Sequence, residues 1–475
     1  MTSIESAPTL SADIIARARR GLEQHLGSSN VLAESEVCQA YGTDESGLLG
    51  RVPDLVVLAN SMDDVARVLE VAAATNCPVT PRAAGTGKSG GAIPIQGGIV
   101  LALSGINRIK EIDRQEGIAV VEPGVILEDL QRAVEAEGLF YPPDPNSQDK
   151  STLGGNVAEN AGGPRAFKYG VTRDYVLGLD VVLVGGERLH VGRRTRKGVT
   201  GYDITALLVG SEGTLGVIGD ITLKLVPKPP VVLALMLMFT DVRRAAAAVT
   251  TIGEAGVQAR CIEILDPLTL GAMRAAGHQF PAAANALLFV ELDGDEATCL
   301  RQADMTAEAC TKAGAIEVLV ARDAEARERL WKTRREMSHV IKKLTRHKMS
   351  EDVVVPRSRM VALLERVERC TERERVRWLA YGHAGDGNLH VNYLWDEPDE
   401  RPRVDRAIEQ LFRDTVELGG SLSGEHGIGL TKAPYLKLEQ SAGLIKLQQK
   451  LKSEFDPQGL LNPGKIFGTG GHRNC

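Results

Sequence analysis

Two histidines flank an Asp-Gly pair in RWLAYGHAGDGNLHVNYLW, residues 377–395. Apolar runs on both sides of Asp-Gly signal a two-residue type I′ hairpin. With Asp386-Gly387 as the turn, Gly385 pairs with Asn388, Ala384 with Leu389, and His383 with His390. Directly opposed residues share a face with Cβ atoms about 4.5–5.5 Å apart, close enough for two imidazoles to chelate one metal ion. A lone histidine is more often a core or surface residue, so the pair gains meaning from a second stretch. That stretch is SGEHGIG, residues 423–429, where Glu425 stands beside His426. A glycine loop is an odd home for an ordinary surface carboxylate.

A different chemistry is written in PRAAGTGKSGG, residues 81–91. Glycines let a backbone come close to a ligand, and successive N–H groups can then converge on an anion. GKS ends the P-loop motif G-x-x-x-x-G-K-[ST], but counting back from Gly87 puts Arg82 where its first glycine belongs. The context also differs, because a P-loop runs from a strand into a helix. Here CPVTP reads as a short strand and GGIVLAL, after the glycines, as another. A phosphate loop between two strands is neither a P-loop nor a dinucleotide turn.

The elements that must position these groups follow from periodicity. SMDDVARVLEVAAATN reads as a helix with Ser61 as N-cap, Asp64 at N3, and Val65, Val68, Leu69 and Ala72 on one face. Residues 1–50 read as a polar, helical lead-in. From Arg51 to Lys228 short β-rich runs alternate with glycine loops, and PKPP, residues 227–230, reads as a linker. Beyond it VVLALMLMF and ALLFVEL look like buried strands. DVRRAAAAVTTIGEAG, DEATCLRQADMTAEACTKAG and DAEARERLWKTRREMSHVIKKL read as helices. This alternation predicts an antiparallel sheet with helices on one face, and an α+β class for the whole chain.

The bulk numbers exclude several functions. At 475 residues the chain should form two or more domains. A net charge of −6 and 4% aromatic residues argue against nucleic acid as a partner. The 7 scattered cysteines contain no C-x-x-C pair and fit reduced thiols in a cytoplasm. The first residues lack a signal-peptide pattern, and no apolar run approaches the ~20 residues needed to span a bilayer. The expectation is a cytoplasmic protein whose membrane contact, if any, is peripheral and through a partner.

STLGGNVAENAGG (151–163), YGVTRDYVLGLDVVLVGG (169–186) and GSEGTLGVIGDITLKL (210–225) accompany the first glycine loop. In this order the four resemble the PCMH-type FAD-binding domain of the vanillyl-alcohol-oxidase superfamily. YGHAGDGNLHVNYL and the tail DPQGLLNPGKIF resemble the FAD-linked oxidase C-terminal domain of the D-lactate, glycolate and D-2-hydroxyglutarate dehydrogenases. The likeness runs from about residue 50 to 467. It implies a lead-in at 1–50, a flavin domain at 51–228, a substrate or cap domain at 229–432, and a segment at 433–475 returning to the flavin domain. By the same resemblance Arg82, Ala84, Gly85, Thr86, Gly87, Lys88, Ser89 and Gly90 cradle the FAD pyrophosphate. Thr152, Gly154, Gly155, Asn156 and Ala158, with Glu212, Gly213, Gly216, Val217 and Ile218, line the nucleotide and ring, and Asn462 reaches back from the tail. Some relatives bond the flavin covalently to a histidine of the first loop. Thr86 fills that slot here, which implies non-covalent FAD.

The resemblance also makes His383, His390 and Glu425 the ligands of a divalent metal, usually zinc, a set that suits iron or manganese as well. His426 is then the general base that takes the hydroxyl proton of a 2-hydroxy acid. Arg334, three residues after Trp331, corresponds to the arginine that grips the substrate carboxylate, and Asn388 joins the substrate site. In one place the chain departs from the pattern. D-2-hydroxyglutarate members carry a lysine where MSEDVVVP has Ser350, with Lys348 nearby but off register. That favours a small monocarboxylate such as D-lactate or glycolate. Electrons would pass to a protein or quinone acceptor. The alternatives are a partner-dependent flavin subunit beside an iron–sulfur protein, or a flavin oxidase of aryl alcohols or sugar lactones, which would not need the metal ligands.

Overall fold

The computed structural model describes residues 10–468 apart from 49, 322–324, 327–329, 332–339 and 342. It divides into two compact units. The first joins Met1–Gly162, Val171–Lys228 and Glu425–Cys475, and the second joins Gly163–Gly170 and Pro229–Gly424.

In the first unit the helix Met62–Thr75 begins at a full capping box, Ser61 Oγ accepting from the Asp64 N–H and Asp64 Oδ2 from the Ser61 N–H. Its buried face, Val65, Val68, Leu69 and Ala72, packs on Leu55, Val57, Ile99 and Leu101 of the sheet beneath. That sheet runs Val31–Leu32, Leu55–Leu58, Ile99–Ala102, Val79–Arg82, the last three strands parallel. The expected strand–glycine loop–strand unit is therefore present, with no helix following the glycines. The lead-in is more than a polar appendage. Its helix Ala12–Leu26 buries Ala18 and Leu22 in this core, and Val31–Leu32 extends the sheet. A second, antiparallel sheet has the order Ile109–Asp113, Ile118–Val121, Val217–Lys224, Val176–Val182, Arg188–Gly192.

The second unit is organised by seven antiparallel strands in the order Ala315–Ala321, Val231–Phe239, Ala286–Gly294, Cys261–Leu265, Arg377–His383, Asn388–Trp395, His347–Val354. Both faces are covered, where the sequence suggested helices on one. Met236, Met238, Leu265, Phe289 and Tyr381 pack with the helix Pro267–Ala275. The alternate residues Leu235, Leu237, Ile262, Ile264, Leu288 and Val290 are buried too. Helices Val242–Glu254 and Glu296–Lys312 were also anticipated. Among the described residues no helix is long and apolar enough to cross a membrane.

Candidate functional site

The first glycine loop leaves the strand Val79–Arg82 and folds back under its own arginine. Gly85 has φ +72°, a left-handed conformation that favours glycine, and a Cβ there would displace the Arg82 guanidinium, 2.1 Å away at Nη2. The Arg82 guanidinium donates to the Thr43 carbonyl at 2.8 Å and lies over the Tyr41 ring. Ala84 and Lys88 are exposed, while Ser89 and Gly90 are buried. The seven-residue helix Leu153–Glu159 packs closely through its glycines, Gly155 against this loop and Gly154 against Pro123. A Cβ on Gly155 would meet Ala83 at 3.1 Å, and one on Gly154 would meet Pro123 at 2.7 Å. Val217 and Ile218 are buried at the start of the strand Val217–Lys224, and a Cβ on Gly216 would strike Val181.

Asn462 joins the tail to this region. Its Nδ2 donates to the carbonyls of Gly91 at 3.0 Å and Glu212 at 2.7 Å, and its N–H donates to Val79. Glu212, expected to face the cofactor, turns its carboxylate onto the Ile428 and Gly429 N–H groups, both at 2.7 Å, and so holds the loop that carries His426. The loop is tight: a Cβ on Gly427, at φ +78°, would lie 2.3 Å from Glu159 Oε2 and 3.0 Å from Glu212 Oε1. Burial, then Glu212, then Asp44 push the Glu159 carboxyl well above its ordinary range. Burial also raises Glu212, against the pull of its two backbone donors. His426 Nε2 lies 3.8 Å from Glu425 Oε1.

This unit fits a large polar ligand. Ser89 Oγ, Ser151 Oγ, Thr152 Oγ1, Asn156 Nδ2, Ser211 Oγ and Asn462 Oδ1 are buried without hydrogen-bond partners. They sit on the stretches expected to touch FAD, and buried polar atoms are normally satisfied.

In the second unit the histidines come together, though not as the hairpin rule predicted. A 3₁₀ turn, Ala384–Asp386, lengthens the connection, and Gly387 takes a left-handed conformation. His390 therefore pairs with Tyr381, and His383 pairs with Glu263 on the other neighbouring strand. The rings still meet edge to face with centroids 5.2 Å apart. Each is backed by a carboxylate that sequence reasoning missed. Glu263, fully buried, lies 2.5 Å from His383 Nδ1, and Asp352 lies 3.8 Å from His390 Nδ1. Such carboxylates fix tautomer and ring orientation in metal-binding histidines. The signal for Glu263 was a lone acid inside the apolar strand CIEIL.

Asp352 accepts from Asn388 Nδ2, Ser423 Oγ and the Gly424 N–H, and Asn388 Nδ2 also donates to Val353. Both amide hydrogens of Asn388 are thereby engaged. Gly424 ends the second unit, and Glu425 begins the returning segment. Lys348, Ser350 and Asp352 alternate along one strand and so share one face. Arg334 lies outside the described residues.

Residues 53–192 match the family model of an FAD binding domain, and residues 228–466 match that of the FAD linked oxidases, C-terminal domain. The chain is 40% identical to the glycolate oxidase subunit GlcD of Bacillus subtilis strain 168, covering 90% of this chain and 92% of that protein. It is 34% identical to a D-lactate dehydrogenase of Anaerostipes hadrus, covering 93% and 96%. Its fold matches p-cresol methylhydroxylase with a TM-score of 0.81 at 18% identity, over 96% of this chain and 98% of that one. The glycine cradle, the buried polar atoms around it and these likenesses agree, and the chain belongs to the FAD-linked oxidases, as an FAD-binding oxidoreductase with the α+β, PCMH-type fold.

Proposed function

We propose that the protein oxidises a small D-2-hydroxy acid, D-lactate or a glycolate-like acid, to the 2-oxo acid, and passes the electrons to an acceptor other than a nicotinamide. The observation that carries this reading is the His383–His390 pair with Glu263 and Asp352 behind it, an arrangement that a flavin site for aryl alcohols would not need. FAD, bound non-covalently past Thr86, supplies the hydride acceptor. His383, His390 and Glu425 would hold a divalent ion, zinc being the first expectation, whose positive charge acidifies the substrate hydroxyl. His426 takes the hydroxyl proton on its ring, as an imidazole base does in general acid–base chemistry. Arg334 grips the carboxylate with its planar fork. Carboxylate and hydroxyl are then both anchored, which leaves one α-hydrogen able to face the flavin and makes the D-enantiomer the substrate.

The likeness to a subunit of glycolate oxidase supports a partner that takes the electrons, and an iron–sulfur subunit is one form of it. A second reading, D-2-hydroxyglutarate, is favoured by one observation. Lys348 shares the face of Asp352, two pleats along the strand from it, where a second carboxylate would find a cation.

The test is a panel of D- and L-2-hydroxy acids with an artificial dye acceptor, run with and without a chelator. D-lactate or glycolate should turn over and chelation should abolish it. Equal rates with D- and L-lactate, or full activity after metal removal, would overturn the assignment. Acid precipitation should leave the flavin in the supernatant, and colour held in the pellet would disprove the non-covalent link.

A further inference from the structure

Lys465 is a buried cation that the reaction described above does not use. It is 3% exposed, and its Nζ donates to the Ile93 carbonyl at 2.6 Å, just beyond the first glycine loop. An ammonium group has three donors, and a buried one is costly unless its charge is answered. Asp44 and Glu212 act on it electrostatically, yet burial outweighs them and pulls the amine down to about 7. An anion placed beside Nζ would restore its full charge.

The backbone around Lys465 is forced. Asn462, Gly464 and Ile466 have φ of +43°, +79° and +67°. A β-branched residue there is a true outlier, and such strain gathers at ligand-binding and catalytic segments. Hydrogen bonds hold it in place: Asn462 to Gly91, Glu212 and Val79, and the Ile466 N–H to the Gly429 carbonyl. Through Gly429 and the Glu212 carboxylate, Lys465 belongs to the same net of bonds as the loop bearing His426.

We propose that Lys465 faces the redox-active ring of the bound flavin and offsets the negative charge that reduction brings there. A hydride carries two electrons and one proton to the ring and so adds one negative charge, which a fixed ammonium in a buried setting favours. The inference rests on FAD occupying the cradle and on His426 marking the ring end. It does not depend on which hydroxy acid is the substrate.

The test is a reductive titration of the FAD-loaded wild type, Lys465→Met and Lys465→Arg with dithionite against a reference dye, with no hydroxy acid present. Lys465→Met should keep FAD, while its preference for reduced over oxidised flavin falls about tenfold, a midpoint about 30 mV more negative. Lys465→Arg should stay near the wild type. An unchanged midpoint in flavin-loaded Lys465→Met would overturn the proposal. So would loss of FAD by that variant with riboflavin binding intact, which would place the lysine at the pyrophosphate. If Lys465→Met does not fold, Lys465→Gln, neutral but still a donor, is judged by the same criteria. Because no substrate enters the titration, a failure of the hydroxy-acid reading leaves this result standing.

Discussion

Ser89, Thr152, Asn156 and Ser211 are buried in the first unit without partners, whereas in the second Asp352 accepts three hydrogen bonds and Glu263 lies against His383. An unsatisfied buried polar group costs about 1–3 kcal/mol. The flavin-binding unit thus carries an energetic debt that a polar ligand removes on binding. In the seven-stranded sheet Asn392 Oδ1 is likewise buried without a partner, but Glu263 and Asp352 stand beside the histidine rings before any ligand arrives. One region is completed by its ligand through backbone and small side chains. The other holds a few side chains in fixed directions before anything arrives.

The contrast yields tests in descending size. His426 is proposed as the base, so His426→Ala should slow anaerobic flavin reduction by about 10²–10⁴-fold while FAD and metal stay bound. A wild-type rate in that variant would remove the proton-transfer role. Glu263 lies against His383, a proposed metal ligand, so Glu263→Ala should weaken affinity for the proposed ion about 10–100-fold and leave FAD content unchanged. Equal loss of flavin and metal would mean that the two regions are not separately organised.

The smallest effect concerns Glu159 in the flavin-free protein. Its folded pKa is raised, so above its ordinary value of 4.5 the unfolded chain releases a proton that the folded chain keeps. The unfolded state then binds fewer protons, and stability falls as pH rises. Glu159→Gln should therefore flatten the decline of Tm as pH rises above about 4.5. Parallel Tm profiles for the two proteins would show that Glu159 is ionised in the fold.

The same contrast explains what the sequence could reveal. Glycine loops announce themselves, because a backbone cradle needs glycine at particular places, and Ser61 with Asp64 announces a helix start. The strand–loop–strand context of Pro81–Gly91 followed from local patterns alone. The hairpin register did not. Asp386-Gly387 looked like a two-residue turn, but Gly387 instead closes a 3₁₀ turn, and His390 slid opposite Tyr381. Glu263 was invisible as a partner because its link to His383 spans 120 residues of chain. Nothing in GSEGTLG tells that the Glu212 carboxylate reaches the backbone of Ile428 and Gly429.

The tail has a consequence for how the molecule is made. Val79 donates to the Leu460 carbonyl, and Asn462 donates back to Val79, so the strand that launches the glycine loop gains its outer neighbour from a segment made long after it. On a ribosome adding about 5–20 residues per second, roughly 20–80 s separate the emergence of these two partners. Throughout that interval Asn462 and Lys465 do not yet exist, and the Gly91 carbonyl waits uncapped. The nascent cradle can be shaped early, but it can be sealed only after Leu460–Asn462 have been made, so its closure must await a segment far along the chain.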